Sequence, residues 1–304
     1  TDARYEEELK TTLPKDMGLI ITRDYYGQAK KVVNSYNFKK VGFEISMSYQ
    51  LFRKFQTLFD DKLVALDNVI EKLREVKDSQ EIAAAKKSCS LASQGFEALL
   101  KHVKVGQTGQ QVSNWLNDWM IDHGAVKASF DTIVASGFRS ALPHGFATDK
   151  KLNSREMVTV DFGYYVYNFT SDMTRTFALG DPGEKMKQVY AVVKKAQELM
   201  FEADNPGEDG KEIDAAGRDY ITKAGYGKEY NHGSGHGIGL AIHEGPNIGP
   251  RFEQEILVPG NVVTNEPGVY LAGLGGVRIE DDVLVTEAGS ERLTTAPRDL
   301  IILD

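Results

Sequence analysis

Four acidic residues lie within short apolar, β-branched segments of this chain, and they constrain its folding more than any other sequence feature. Asp161 ends one such segment, and Asp172 stands eleven positions later, directly before another. Glu266 and Glu280 lie in similar segments nearer the C-terminus. The segments predict strands, so we expect buried carboxylates, which are costly unless each charge is paired or binds a metal ion. Few lysines or arginines lie nearby, so carboxylates that converge would need divalent cations between them.

A histidine, His236, completes a candidate set of metal ligands with these four acids. Four carboxylates and one imidazole suit Mn²⁺, Mg²⁺ or Co²⁺ better than a structural zinc ion. Bridging carboxylates could hold two ions about 3.5–4 Å apart, as in two-metal hydrolases. Taken singly, each acid could equally be a surface residue or a salt-bridge partner in the core, so spacing alone leaves both interpretations open.

The six histidines divide into two groups. Those in glycine- or proline-rich loops are the candidates for chemistry: His144, His232, His236 and His243. His102 and His123 lie near predicted helix ends, where we expect solvated or capping side chains.

The composition narrows the classes of protein. The 304 residues are 41% hydrophobic and 26% charged, which is ordinary for a globular protein and long enough for two domains. No apolar run approaches the roughly 18 residues that span a membrane. The net charge of −8 argues against a nucleic-acid-binding protein. The single cysteine, Cys89, falls on the apolar face of a predicted helix and cannot form an internal disulfide, so we expect a buried thiol and a cytoplasmic location.

The glycine-rich run at residues 233–239 does not match known phosphate-binding patterns. Its glycines occupy alternate positions, which fits neither G-x-G-x-x-G nor the P-loop. The pair His243-Glu244 lacks the second histidine of an H-E-x-x-H zinc helix, and no G-x-S-x-G nucleophile motif occurs.

The first part of the chain predicts a small α/β domain. Two strands and two helices alternate there, in chain order at 18–22, 24–36, 41–45 and 47–59. A long helical stretch begins near residue 67, with Asp78 and Ser79 as caps, so we assign residues 1–66 and 67–304 to two domains. The chain opens without a methionine, and we expect it to begin inside the first domain.

The second domain predicts an α+β fold, because helices flank a strand-rich core without a repeated βαβ pattern. Further helices are expected at 110–123, 184–201 and 211–224. Strands are expected at 130–136, 157–163, 173–179, 262–264, 276–286 and 300–303.

At residues 232–244 the chain resembles the signature of the proline-specific pita-bread metallopeptidases, which are the Xaa-Pro aminopeptidases and the Xaa-Pro dipeptidases, or prolidases. Ser234 departs from that pattern, which usually has an aliphatic residue or threonine there. Further blocks resemble the family in the same order, at 135–145, 160–163, 171–176, 265–268 and 278–281. The resemblance implies a pita-bread catalytic domain, and residues 1–66 resemble part of the creatinase-like N-terminal domain, apparently truncated.

The resemblance also implies a dinuclear metal site. Its ligands would be Asp161, Asp172, His236, Glu266 and Glu280. The ions would be two divalent cations, with Mn²⁺ as the first choice and Co²⁺ or Zn²⁺ as alternatives.

By the same resemblance, Glu266 would bind metal and also transfer the proton to the leaving proline nitrogen. His243 would stabilise the oxyanion, and His144 and His232 would line the substrate site. Glu244 stands beside His243 without an assigned role, so we expect Glu244→Gln to be much milder than Glu266→Gln.

The substrates implied are peptides with proline at the second position. We favour an Xaa-Pro aminopeptidase over the alternative, an Xaa-Pro dipeptidase, because neither Arg139 nor Arg278 is an obvious clamp for a free proline carboxylate. Arg278 would orient Glu280 or contact substrate. The alternative from another functional class is an inactive pita-bread module that only binds peptides or proteins. The presence of ligand residues at all five positions argues against this alternative. We expect a homodimer when the N-terminal domain is complete.

Overall fold

The computed structural model describes residues 1–304, except for the side chain of Asp61. The chain divides into two compact units, an N-terminal unit of Thr1–Ile70 and a C-terminal unit of Glu71–Asp304. The predicted division into functional domains after residue 66 stays a prediction.

The N-terminal unit contains two short 3₁₀ turns, three helices and a two-stranded sheet. Its elements are Ala3–Tyr5 (3₁₀), α1 (Glu6–Thr12), α2 (Tyr25–Ser35), β1 (Val41–Glu44), α3 (Tyr49–Phe59), a 3₁₀ turn at Asp60–Lys62 and β2 (Leu63–Leu66). Asp24 and Ser48 cap α2 and α3 through side-chain oxygens. β1 and β2 pair in parallel. The predicted strand at 18–22 is wrong, because that segment joins no ladder among the described residues, and β2 was missed.

Three helices of the C-terminal unit begin at side-chain caps. After α4 (Val69–Glu75), the helices are α5 (Ser79–His102), α6 (Gly109–Asp122), α7 (Glu184–Ala203) and α8 (Gly210–Lys223). Asp78 and Glu81 form a capping box at the start of α5, as Thr108 and Gln111 do for α6. None of the described helices has the length and apolar composition needed to cross a membrane.

The strands of this unit form two larger sheets and two smaller ones. They are β3 (Lys127–Ala128), β4 (Ile133–Ser136), β5 (Glu156–Phe162), β6 (Tyr164–Val166), β7 (Phe169–Thr170), β8 (Met173–Leu179), β9 (Gly235–Gly237), β10 (Glu244–Ile248), β11 (Val262–Asn265), β12 (Gly268–Leu271), β13 (Gly275–Arg278), β14 (Asp281–Thr286), β15 (Gly289–Arg292) and β16 (Ile302–Leu303). The sheet orders are β16-β8-β5-β4, β10-β9-β11-β14-β15, β12-β13 and β3-β6-β7. The α+β class is therefore confirmed.

Apolar clusters cover both faces of the β4-β5-β8 sheet. On one face, Leu99 of α5 and Leu116 of α6 join Val160 and Phe177 in a core. On the other face, α7 and the β12-β13 hairpin pack around Met157 and Ala178. This double burial holds β5 and β8 rigidly, and both lead into the site described below.

The segment predicted as one strand at 276–286 is two strands in different sheets. β13 pairs with β12, whereas β14 pairs with β11. Between them, the Glu280 N–H donates to the Thr174 carbonyl at 3.0 Å. The chain thus crosses from one sheet to the other, and the crossing places Glu280 beside β8.

Candidate active site

The five predicted metal ligands all lie on or next to strands of the C-terminal unit. Asp161 is in β5 and His236 in β9. Asp172 directly precedes β8, Glu266 directly follows β11, and Glu280 lies between β13 and β14.

The fold brings these five side chains together in one pocket. Carboxylate oxygens of Asp161, Asp172 and Glu280 lie within 4.8 Å of one another. The His236 Nε2 lies 3.6 Å from Asp172 Oδ2 and 3.7 Å from Glu266 Oε1. The carboxylates therefore converge, as their positions in the sequence suggested.

The electrostatics of this cluster suit a divalent cation. Burial, reinforced by the neighbouring acids, raises the pKa values of Asp172 and Glu280 well above their usual range. Burial raises the pKa of Glu266 to about 7 and lowers that of His236 to about 4. Without a bound cation, burial thus favours the neutral forms of these side chains. A bound cation would favour the charged carboxylates instead. The buried Asp161 Oδ1 also has no hydrogen-bond partner among the described groups, which leaves it free to bind a metal ion.

Arg278 and Thr174 hold two of the carboxylates in place. The Arg278 Nη2 donates to Asp161 Oδ2 at 2.6 Å, and its Nε donates to the Thr174 hydroxyl at 3.0 Å. That hydroxyl donates in turn to Glu280 Oε2 at 2.6 Å. Arg278 therefore contacts Asp161 directly and reaches Glu280 only through Thr174, a residue that the sequence reasoning did not single out.

Asp282 supports Asp172 from behind the cluster. Its Oδ2 accepts hydrogen bonds from the Asp172 backbone N–H at 3.0 Å and from the Cys89 thiol at 3.1 Å. Cys89 is fully buried, and burial raises the pKa of its thiol. The sequence offered one signal for Asp282, namely a further acid in an apolar segment, and it was missed.

The remaining predicted site residues line the same pocket, which has a volume of about 890 Å³. They are His144, His232, His243 and Arg278. His232 Nε2 lies 2.8 Å from the Tyr270 hydroxyl, which also accepts a hydrogen bond from Arg278 Nη1 at 2.8 Å. Burial raises the pKa of Tyr270 to about 12 and lowers that of His232 to about 4, so both are neutral near pH 7. The link that Tyr270 forms between His232 and Arg278 was not predicted from the sequence.

Part of the pocket lining is apolar. It consists of Phe130, Ile133, Leu142, Phe146, Ile242 and Phe252. Among the described residues that line the pocket, Arg278 is the sole lysine or arginine, and Asp161 already engages it. Arg139 lies outside that lining and donates to the Phe146 carbonyl at 2.9 Å. The pocket therefore offers both apolar side chains and an acidic cluster to a bound molecule.

Glu244 is not the bystander that the sequence suggested. Its side chain is only 5% exposed and forms ion pairs with Arg74 and, at 3.3 Å, with Lys77. Its Oε1 also accepts a hydrogen bond from the Ala241 N–H at 2.8 Å. These contacts hold the loop that carries His243, so Glu244 has a structural role, and the expectation that Glu244→Gln is milder than Glu266→Gln stays a prediction.

Ser234 and the two outlying histidines lie outside the pocket lining. The Ser234 hydroxyl is buried against Asp214 and Tyr230, so the departure from the family signature does not touch the acidic cluster. His102 and His123 stack on tryptophan rings.

Comparison with known proteins identifies the family. Residues 83–287 match metallopeptidase family M24, and residues 1–76 match the creatinase/prolidase N-terminal domain. This chain belongs to metallopeptidase family M24. The resemblance in the sequence is thereby confirmed, the fold is the pita-bread fold, and the chain is a metallopeptidase of a family that uses divalent metal ions.

Proline-specific peptidases are among the most similar relatives. The chain is 40% identical over 266 residues to the Xaa-Pro dipeptidase of Pyrococcus furiosus, covering 87% of this chain and 76% of that protein. The structure of an Xaa-Pro dipeptidase from Bacillus anthracis matches with a TM-score of 0.96 and 40% identity, covering 100% of this chain and 85% of that one. The X-Pro aminopeptidase from Thermotoga maritima MSB8 matches with a TM-score of 0.91 and 37% identity, covering 99% and 86%.

Proposed function

We propose that this chain hydrolyses the bond before proline and that Xaa-Pro dipeptides are its preferred substrates. The observation that carries the proposal is the convergence of five potential metal ligands in a pocket that is partly lined by apolar side chains. The dipeptidases among its relatives, at 40% identity, support the dipeptide preference.

The metal-binding part of the proposal rests on the donor set. We assign the binding of two divalent cations to Asp161, Asp172, His236, Glu266 and Glu280, with Mn²⁺ as the first choice and Co²⁺ or Zn²⁺ as alternatives. Such ions supply Lewis acidity and lower the pKa of water, so that hydroxide forms near neutral pH.

Two residues of the chain carry the proton transfer and the charge stabilisation in this proposal. The Glu266 carboxylate takes a proton from the attacking water and returns it to the proline nitrogen as that nitrogen leaves. Burial lowers the pKa of His243, so its imidazole is neutral and donates one N–H hydrogen bond to the developing oxyanion.

The other pocket residues position the substrate. The proline ring packs on the apolar side chains of the pocket lining, and the neutral His232 is oriented by the Tyr270 hydroxyl. Because Arg278 is engaged by Asp161, we propose that imidazole N–H groups, with His144 as the first candidate, contact the proline carboxylate. This differs from a bidentate arginine clamp and gives weaker selection against longer peptides.

An Xaa-Pro aminopeptidase is the second candidate. It is favoured by the lack of an unengaged lysine or arginine among the described residues of the pocket lining, and by the likeness to the Thermotoga maritima protein. A cytoplasmic location and a homodimer stay predictions.

The test compares kcat/KM for Xaa-Pro dipeptides, Xaa-Pro-Xaa tripeptides and Xaa-Ala dipeptides with Mn²⁺-loaded protein. We expect the Xaa-Pro dipeptide to exceed both others by at least about tenfold. Tripeptide cleavage that equals or exceeds dipeptide cleavage would establish the aminopeptidase instead. Failure to cleave any Xaa-Pro bond with both metal sites filled would refute a proline-specific peptidase.

A further inference from the structure

Asp204 and Asn265 form a buried polar pair outside the pocket lining. Asp204 directly follows α7, Asn265 ends β11, and neither side chain is exposed. The Asn265 Nδ2 donates to Asp204 Oδ2 at 3.1 Å and to the Gln197 carbonyl at 3.3 Å. Both amide hydrogens are therefore used, and this fixes which way the Asn265 amide faces.

Each residue of the pair also has a buried oxygen without a partner. Both Asp204 Oδ1 and Asn265 Oδ1 lack a hydrogen-bond donor among the described groups. A buried acceptor left unpaired is costly, and two acceptors cannot satisfy each other unless one of them carries a proton.

Among the described side chains, no cation forms a direct ion pair with Asp204. Arg292 of β15 is the charged residue whose field acts on Asp204, but the two make no ion pair within 4.0 Å among the described side chains. The Arg292 guanidinium instead lies over the Phe201 ring and 3.5 Å from Asp281. Burial raises the pKa of Asp204 to about 7, against the opposing effects of the Asn265 hydrogen bond and Arg292.

We propose that Asp204 is protonated in the folded protein and donates its O–H to the Asn265 amide oxygen. The acid and the amide then exchange two hydrogen bonds, and both unpaired oxygens gain a partner. The pair ties the end of α7 to the residue directly before Glu266, which makes Asp204 a positioning residue. Only that last effect, on Glu266, rests on the proposed function.

The Asp204→Asn variant is the main test, because an amide has the same shape and supplies an N–H in place of the acid O–H. We expect it to keep the pair at every pH, whereas Asp204→Leu destroys the pair at every pH. Asp204 is ionised in the unfolded chain above its ordinary pKa of 3.8, and the folded chain retains the proton up to about 7. The stabilisation from this proton is thus complete at low pH and is lost as pH rises.

The measurement is urea unfolding of the metal-free protein from about pH 4 to about pH 9. As the pH increases from about 4 to about 7, the unfolding equilibrium constant of the wild type should rise relative to that of Asp204→Asn by up to tenfold per pH unit. Above about pH 7 the ratio of the two constants should stay level. Infrared difference spectra between these two proteins should show a protonated carboxyl band at low pH that disappears above about pH 7. Parallel stability profiles together with the absence of that band would overturn the proposal.

A second measurement tests the positioning role with metal-loaded protein. Above about pH 7, kcat for wild-type protein should fall relative to Asp204→Asn while KM changes little, because Glu266 loses its alignment. Equal kcat profiles would refute positioning. The unfolding and infrared results do not depend on peptidase activity, so failure of the proposed function would leave them interpretable.

Discussion

Replacing Glu244 by glutamine tests whether its ion pairs fix the loop that carries His243. The substitution keeps the size of the side chain and the acceptor for the Ala241 N–H, but it removes the negative charge between Arg74 and Lys77. The perturbation is therefore electrostatic rather than steric.

The two partners contribute unequally to the expected loss. The Arg74 side chain is 30% exposed and can turn towards water, so its pair is worth less than about 1 kcal/mol. The Lys77 side chain is 2% exposed, and breaking a buried ion pair costs about 3–5 kcal/mol. Burial already lowers the pKa of Lys77, so release of its proton offsets part of that cost. We therefore expect Glu244→Gln to lower the free energy of unfolding by about 2–4 kcal/mol.

Urea unfolding by linear extrapolation measures this loss, with Glu253→Gln as the matched control. Glu253 also pairs with a lysine, Lys211, at 2.7 Å, but its side chain is 72% exposed, so its loss should stay below about 1 kcal/mol. Adding Lys77→Met to Glu244→Gln removes both buried charges and should recover much of the stability. Equal losses in the two glutamine variants would show that the buried pair does not stabilise the loop.

Three further predictions concern the metal site. Glu266→Gln should lower kcat by roughly 10²–10⁴-fold, since it removes the proton acceptor, and a metal-loaded variant with near wild-type kcat would show that the base lies elsewhere. Chelation should abolish activity and Mn²⁺ restore it, and full activity in protein shown to be metal-free by elemental analysis would contradict this. Because burial raises the pKa values of Asp172 and Glu280, the folded metal-free protein binds more protons than the unfolded chain above the ordinary carboxyl pKa. Its stability should therefore fall as pH rises, and thermal unfolding should show that Mn²⁺ stabilises the protein most at high pH.

Local signals in the sequence were sufficient for much of the fold. Asp78, which the sequence offered as a cap, is the N-cap of α5, and the apolar run at 173–179 predicted β8 with its observed bounds. Helix caps and side-chain periodicity depend on residues a few positions apart, so they can be recognised in the sequence without knowledge of tertiary contacts. The five candidate ligands were found because each stands in a short, recognisable block, and the fold brings all five into one pocket.

Other features depend on residues far apart in the chain. At Glu280, where the backbone N–H bonds to the Thr174 carbonyl, the chain passes from one sheet to another, although residues 276–286 were predicted as a single strand. Tyr270 gains significance only through His232 and Arg278, and Asp282 only through Asp172.

The sequence by itself indicated the candidate ligand residues, the family and most of the helices. Only the tertiary structure decided which polar groups support the site, such as Glu244, whose partner Arg74 is 170 residues away. The physical reason is that the cost of a buried charge or an unpaired oxygen is set by the groups around it in space. Those groups come from elements with no fixed spacing in the chain, so no sequence pattern records them.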